Sequence, residues 1–128
     1  MAITRGWTVA LAAASTALAA VVAIAQPAGV PARGADVFDD RCSECHALTG
    51  VHQGPSLVGV VGRRAGAEAG YAYTPAMKAA GVTWTAAELD RFLQGPKKLI
   101  PGTAMAVIIS DPTERRDLIA YLGTLKAH

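Results

Sequence analysis

The chain has 128 residues, enough for one domain of ordinary size, and its 12 basic and 10 acidic residues give a formal net charge of only +2. So balanced a charge argues against a protein that binds nucleic acid through a large basic surface. The 52% hydrophobic content lies partly in the first 25 residues, so the rest of the chain is more polar than the composition suggests.

The amino terminus has the pattern of an export signal. Arg5 precedes an uncharged, Ala-rich run over residues 7–24, and small residues at Ala23 and Ala25 form a cleavage site. We predict a signal peptide over 1–25, cut after Ala25, which places the mature protein in the bacterial periplasm. The alternative is an uncleaved membrane anchor formed by 7–24, since such a run can just span a bilayer.

Short helices and long loops are predicted for the rest of the chain. Residues 26–33, rich in Pro and Gly, form an irregular lead-in, and the domain then covers 34–128. Apolar and cysteine positions spaced by three and four residues predict a first helix over 34–45. The segment 50–70 contains many glycines and no sustained period, which indicates loops. So long a loop is unusual in a small domain, but wrapping a flat cofactor would explain it.

Three later segments, 74–81, 85–95 and 111–125, each begin with a side chain that can cap a helix. The last of them also places its apolar residues on one face. No segment has the alternation of a strand. The sequence therefore predicts an all-α domain of four to five short helices.

The chemistry is concentrated in Cys42, Cys45 and His46, the only cysteines and the histidine that follows them. A redox dithiol should follow a strand, and a zinc site would need ligands from the poorly spaced His52 and His128. The remaining interpretation is covalent attachment of haem c, which requires histidine directly after the second cysteine. Thiols one helical turn apart can bond the two vinyl groups at one porphyrin edge, and His46 becomes the proximal iron ligand.

The sixth iron ligand separates two functions, because an open iron binds small molecules and a closed one suits electron transfer. The sequence beyond residue 25 has two methionines, Met77 and Met105. Met105 follows a Pro-Gly turn within 100–105, which can aim a thioether without a helix. Met77 lies in a predicted helix, where methionine usually fills core space. We therefore predict Met105 as the metal ligand opposite His46.

With these features the chain resembles the class I c-type cytochromes, the soluble mitochondrial and bacterial kind, over 34–126. The resemblance implies a small cytochrome c fold wrapped around one covalently attached haem c, and an electron carrier rather than an enzyme. Beyond the attachment motif it is carried by an ordered set of short motifs: Gly34 and Phe38, 54–57, 62–66, 70–74, 82–84, 96–98, 100–105 and 114–122.

The resemblance also implies roles for residues around the cofactor. The carbonyl of Pro55 would accept the free N–H of His46 and fix its ring. The buried propionates would be held by side chains that donate hydrogen bonds or neutralise charge, namely Arg63, Tyr73 and Trp84, with Thr103 nearby. Where the first and last helices cross, Gly34 and Phe38 would pack against Leu118 and Tyr121.

The chain departs from the family near the thioether of Met105. Phe92 stands where a tyrosine commonly donates to the ligand sulfur, and Met77 stands where asparagine is frequent. Ala104 and Val107 replace a frequent lysine and phenylalanine. Fewer polar groups around the ligand predict an altered reduction potential. They also leave open the alternative that Met105 is easily displaced from the iron.

The predicted function is electron transfer in the periplasm between larger redox complexes. Candidate partners are an oxidase, a quinol–cytochrome c reductase, a reaction centre or a periplasmic dehydrogenase. The mature protein itself is predicted to be a monomer that is not inserted in the membrane once the signal peptide is cleaved. A positive rim would steer acidic partners, and its members would be Arg41, Lys78, Lys97 and Lys98. The alternatives are a haem-based sensor or peroxidase with a displaceable Met105, and a dedicated electron-accepting subunit of a dehydrogenase.

Overall fold

The computed structural model describes residues 20, 25–49 and 52–127. The predicted signal peptide, apart from Ala20 and Ala25, lies outside these residues, and its cleavage stays a prediction. Within the described ranges, no helix combines the length and the apolar character needed to cross a bilayer.

Five short helices make up the regular structure of the described residues. The one β pairing found there is an isolated bridge between Arg64 and Thr83. The prediction of an all-α domain with four to five helices is therefore confirmed. In chain order the helices are α1 Pro31–Arg41, α2 Pro75–Ala79, α3 Ala86–Gln94, α4 Pro96–Leu99 and α5 Pro112–Thr124.

The first helix differs from its predicted bounds of 34–45 at both ends. It begins at Pro31, so the last three residues of the predicted lead-in are helical, with proline in the first turn. It ends at Arg41, because the carbonyl of Phe38 accepts from the backbone N–H of both Cys42 and Ser43. The chain then leaves the helix in a tight turn, and this turn carries the cysteines.

The crossing of α1 and α5 is close because Gly34 has no side chain. A Cβ at this position would lie 2.0 Å from the carbonyl oxygen of Asp117 and 2.8 Å from the Cβ of Tyr121. Next to it, the rings of Phe38 and Tyr121 pack with centroids 5.5 Å apart. Phe38 also shares one buried core with Leu118. The predicted crossing of the first and last helices is confirmed.

A buried carboxylate ties the entry to α1 onto α5. Asp117 is only 2% exposed, and it accepts hydrogen bonds of 2.7 Å from the backbone N–H of Val30 and from Nε of Arg33. The side-chain hydrogen bond from Arg33, and then the backbone bond from Val30, hold the pKa of Asp117 below its ordinary value of 3.8. The crossing is thus fixed by polar contacts as well as by packing.

Helices α3 and α5 begin at side-chain caps. The hydroxyl of Thr85 accepts from the backbone N–H of Glu88, and Asp111 accepts from Thr113 and Glu114. These caps fix where the two helices begin, and the apolar faces of both helices belong to one buried core. The apolar side chains that these two helices bury there are Leu89, Phe92, Leu93, Leu118 and Leu122.

We expect Gly34→Ala to lower the free energy of unfolding by about 2 kcal/mol or more, because the added methyl group overlaps backbone atoms that cannot retreat. Gly123→Ala in α5 is the control. A Cβ there meets nothing within 4 Å, so this variant should be as stable as the parent or up to about 1 kcal/mol more stable. Denaturant unfolding of both haem-containing variants measures the difference, and equal stabilities would contradict the described crossing.

The Asp117 contacts predict a definite pH dependence. A carboxyl whose pKa is lowered in the folded state stabilises the fold above the unfolded pKa, and this stabilisation is lost as pH falls through the folded pKa. Asp117→Asn should therefore lower the Tm by several degrees at neutral pH. The gap to the parent should shrink below about pH 4. Melting curves from pH 7 to pH 3 measure it, and a gap independent of pH would contradict a lowered pKa at Asp117.

Candidate cofactor site

A large cavity of about 420 Å³ lies between α3, α5, the end of α1 and the loops. This volume is in the range of sites that bind small molecules and cofactors. Its lining is mainly apolar. Every residue that the sequence predicted for cofactor or metal binding lines the large cavity: Cys42, Cys45, His46, Pro55, Arg63, Tyr73, Trp84, Thr103 and Met105.

The imidazole of His46 is fixed by the backbone that follows the attachment motif. Its Nδ1 lies 2.8 Å from the carbonyl oxygen of Pro55, so a neutral ring that donates from Nδ1 keeps the lone pair of Nε2 for a metal. The backbone of Gly54 lies against the ring, and a Cβ at this position would be 2.5 Å from Cε1 and 2.6 Å from Nδ1. The amide of Gly54 is itself held by the carbonyl of Cys45 at 2.8 Å.

The two thiols line the same cavity and are not joined in a disulfide. Burial raises the pKa of the Cys42 thiol to about 11, against a smaller lowering by Arg41. The buried Cys42 thiol is therefore a poor nucleophile at neutral pH. The zinc interpretation lacks support, because the described residues contain no group of three or more metal-binding His, Cys, Asp or Glu side chains.

Both methionines reach the cavity. Met77 is buried on α2 and belongs to the apolar core, while Met105 is half-buried on a loop. That loop is shaped by Thr103, whose amide donates to the carbonyl of Ile100 and whose hydroxyl accepts from the amide of Met105. The sequence predicted apolar residues around the Met105 thioether. Three of them line the cavity as well: Phe92, Ala104 and Val107.

One wall of the cavity carries a positive charge with an unused donor. Arg63 donates from Nη2 to the carbonyl of Ser56 at 2.7 Å and from Nη1 to that of Val58 at 3.1 Å, and it pairs with Glu68. Its Nε is buried and has no hydrogen-bond partner within the described residues. A buried unpaired donor is costly, so this position suits an added acceptor.

These observations test whether haem fits the site. Two thiols, an imidazole with a free nitrogen, a thioether and a cation with an unused donor surround a mainly apolar cavity. Each matches a part of haem c: its vinyl groups, its iron, its propionates and its apolar ring. The residues present therefore fit the cofactor.

Some contacts of the site were not predicted. Glu68 faces Arg63, and its backbone N–H donates to the hydroxyl of Tyr73 at 3.3 Å. Burial raises the pKa of Tyr73. Gln53 holds two partners, because its side chain accepts from the thiol of Cys45 at 3.4 Å and its carbonyl accepts from Tyr71. Nothing local in the sequence signals these pairs.

The predicted positive rim is only partly beside the cavity. Arg41 is exposed and lines it. The three lysines, Lys78, Lys97 and Lys98, are exposed but are not among the lining residues. The rim therefore stays a prediction.

Comparison with known proteins gives a consistent result. A family model described as Cytochrome c matches residues 31–126. The chain is 46% identical over 100 residues to cytochrome c of Chlamydomonas reinhardtii, covering 75% of this chain and 89% of that protein. It is 44% identical over 103 residues to cytochrome c2 of Rhodopila globiformis, covering 78% and 97%. Cytochrome cH from Methylobacterium extorquens has a similar structure, with a TM-score of 0.72 at 45% identity, covering 75% and 99%.

Gly54→Ala should disturb the imidazole of His46, because the new methyl group would overlap the ring and the ring must move away from the Pro55 carbonyl. We expect about 2 kcal/mol of destabilisation and a clearly larger high-spin fraction in the spectrum of the ferric protein. Gly123→Ala, which adds a methyl group far from the ring, should leave the spectrum unchanged. Identical spectra for the parent and Gly54→Ala would contradict the close contact between Gly54 and His46.

Proposed function

This chain belongs to the cytochrome c family, and we propose that it is an exported carrier of single electrons between larger redox complexes in the periplasm. Proteins of this family carry haem c bound through cysteine thiols, and Cys42 and Cys45 are the two thiols of this chain. The single observation that carries the proposal is the apolar cavity that these thiols share with His46 and Met105.

When bound, haem supplies an iron that alternates between the ferrous and ferric states. His46 would hold this iron through Nε2, with Pro55 fixing the ring through Nδ1. Met105 would hold it through its thioether. Because the imidazole is fixed by backbone groups, a change in the oxidation state of the iron would need little movement of this part of the protein.

The polar wall of the cavity would receive the propionates. Arg63 offers its unpaired Nε and a guanidinium charge, while Glu68 and two carbonyls keep that guanidinium oriented. Tyr73, Trp84 and Thr103 complete this wall. Burying the carboxylates against a cation offsets their cost of desolvation and separates them from the apolar remainder of the cavity.

Export rests on residues 1–25, whose composition is that of a signal peptide cut after Ala25. A retained 7–24 would instead anchor the same domain at the membrane. The proposed partners are those expected from the sequence: an oxidase, a quinol–cytochrome c reductase, a reaction centre or a periplasmic dehydrogenase, each met by a monomer.

A second candidate function is supported by one feature of the cavity. The side chains of Phe92, Ala104 and Val107 offer no hydrogen bond to the thioether of Met105, which favours a haem-based sensor or peroxidase if the sulfur leaves the iron. Carbon monoxide separates the two functions. An electron carrier, whose sixth coordination position is closed by methionine, binds carbon monoxide slowly in the ferrous state. A sensor with an open position binds it rapidly.

Met105→Ala should abolish the weak red absorption band that marks ferric iron bound by methionine sulfur. Loss of a thioether that favours the ferrous state should also lower the reduction potential by on the order of 0.1 V or more, within the ~0.8 V span that axial ligands set. Met77→Leu is the matched control and should keep the band. Spectra and potentiometric titrations measure both, and a band that survives in Met105→Ala but not in Met77→Leu would reverse the assignment.

The paired reversal Lys97→Glu/Lys98→Glu tests the positive rim. Oxidation of the ferrous protein by hexacyanoferrate(III), an anion, should slow by on the order of tenfold at low ionic strength and recover in high salt. Lys126→Glu, beyond the end of α5, should have little effect. Stopped-flow absorbance measures the rates, and an unchanged rate in the double variant would remove these lysines from the rim.

A further inference from the structure

The backbone that follows Met105 is held by arginine side chains. Three consecutive carbonyl groups, those of Ile108, Ile109 and Ser110, accept hydrogen bonds from guanidinium groups. Arg41 donates from Nη2 to Ile108 at 3.1 Å. Arg115 donates from Nη1 to both Ile109 and Ser110, each at 2.9 Å. These guanidinium groups come from two different helices, the last residue of α1 and the first turn of α5.

Of the two arginines, Arg115 is the buried one. Its side chain is 9% exposed, and its Nε donates to Oδ1 of Asp90 on α3 at 2.7 Å. The other oxygen of Asp90 accepts from Gln94, so the carboxylate is itself fixed. Hydrogen bonds to charged donors are stronger than neutral ones, and the low exposure of Arg115 shields its bonds to the carbonyls, whereas the Asp90 side chain is 39% exposed and its end of the ion pair is open to solvent. The pair therefore joins α3 to α5 across the end of the Met105 loop.

The anchored point is Ile109, which is fully buried. Its amide donates to the carbonyl of Leu93 at 2.9 Å, while its carbonyl accepts from Arg115. Among the described residues, the backbone of 106–110 makes only four hydrogen bonds: these two, the second bond from Arg115 to the carbonyl of Ser110, and the bond from Arg41 to that of Ile108. Only three residues lie between Met105 and Ile109, and the backbone of the first two, Ala106 and Val107, makes no hydrogen bond within the described residues, so a shift of the anchor passes along a short stretch to Met105.

We propose that Arg115, oriented by Asp90, is a positioning residue that keeps the Met105 thioether against the iron. Release of this clamp frees the carboxyl side of the loop, and the sulfur then yields its place to an external ligand. The clamp thus controls how closed the sixth coordination position is. The inference rests on the proposed function, because it takes Met105 as the iron ligand.

Imidazole binding to the ferric protein tests this inference, because imidazole occupies the iron only after the thioether leaves. Stopped-flow absorbance at saturating imidazole measures the rate of that departure. We expect Arg115→Gln to accelerate binding at least tenfold. Asp90→Asn keeps the arginine but removes its charged tether, and should accelerate binding by a smaller factor. It keeps the test available if Arg115→Gln does not fold.

Two controls separate positioning from general destabilisation. Arg91→Gln breaks an exposed ion pair with Glu88 on the same helix as Asp90 and should bind imidazole at the parent rate. Asp117→Asn weakens the α1–α5 crossing further along the same helix as Arg115. It should lower the melting temperature without matching the acceleration seen in Arg115→Gln.

The outcomes are distinct. A parent ferric protein without the methionine absorption band would remove Met105 as the ligand, and the proposed ligation with it. A parent that shows the band, together with Asp90→Asn and any folded Arg115→Gln binding imidazole at the parent rate, would overturn the clamp alone. Equal acceleration in Asp117→Asn and Arg115→Gln would also overturn it, because the effect would then follow stability.

Discussion

The structure depends on an apolar cavity that the chain's own side chains do not fill. Protein interiors normally leave few voids larger than a water molecule, yet α3 and α5 turn apolar side chains toward a space of about 420 Å³. A domain this small buries only a modest core of its own. The covalently held haem of the cytochrome c family supplies the missing apolar surface, so the loops pack on a cofactor rather than on one another. Folding and function therefore have the same requirement.

The two proposed iron ligands are positioned by different means. His46 is set locally, since the carbonyl of Pro55 and the bare backbone of Gly54 lie within ten residues of it. Met105 lies on a loop that Thr103 shapes on one side, and on the other side we propose that it is positioned from another helix, by Arg115 and the Asp90 of α3 that orients it. A ligand held by a tight local turn resists exchange, whereas one held by a distant clamp can be released by changing the clamp. Changes at the clamp would therefore make the sixth coordination position of the iron more open or more closed without altering the turn that carries Cys42, Cys45 and His46.

Much of this fold could be predicted because its signals are local. The starts of α3 and α5 follow from caps at Thr85 and Asp111, whose partners lie two or three residues away. The start of α1 was predicted three residues late, because Val30 is tied to Asp117, 87 positions along the chain. The thiols and the imidazole could be predicted because haem attachment fixes their spacing along the chain. The ion pairs of Arg63 with Glu68 and of Arg115 with Asp90 could not, because no local pattern in the sequence signals them.

The most direct test of the account is whether haem stays with the chain when the protein is denatured. Protein made in a host that matures c-type cytochromes should be extracted with acidified acetone, and its intact mass measured. We predict that the haem remains in the protein fraction, that its mass adds one haem per chain, and that Cys42 and Cys45 do not react with a thiol reagent. A colourless protein fraction with both thiols reactive would contradict the account.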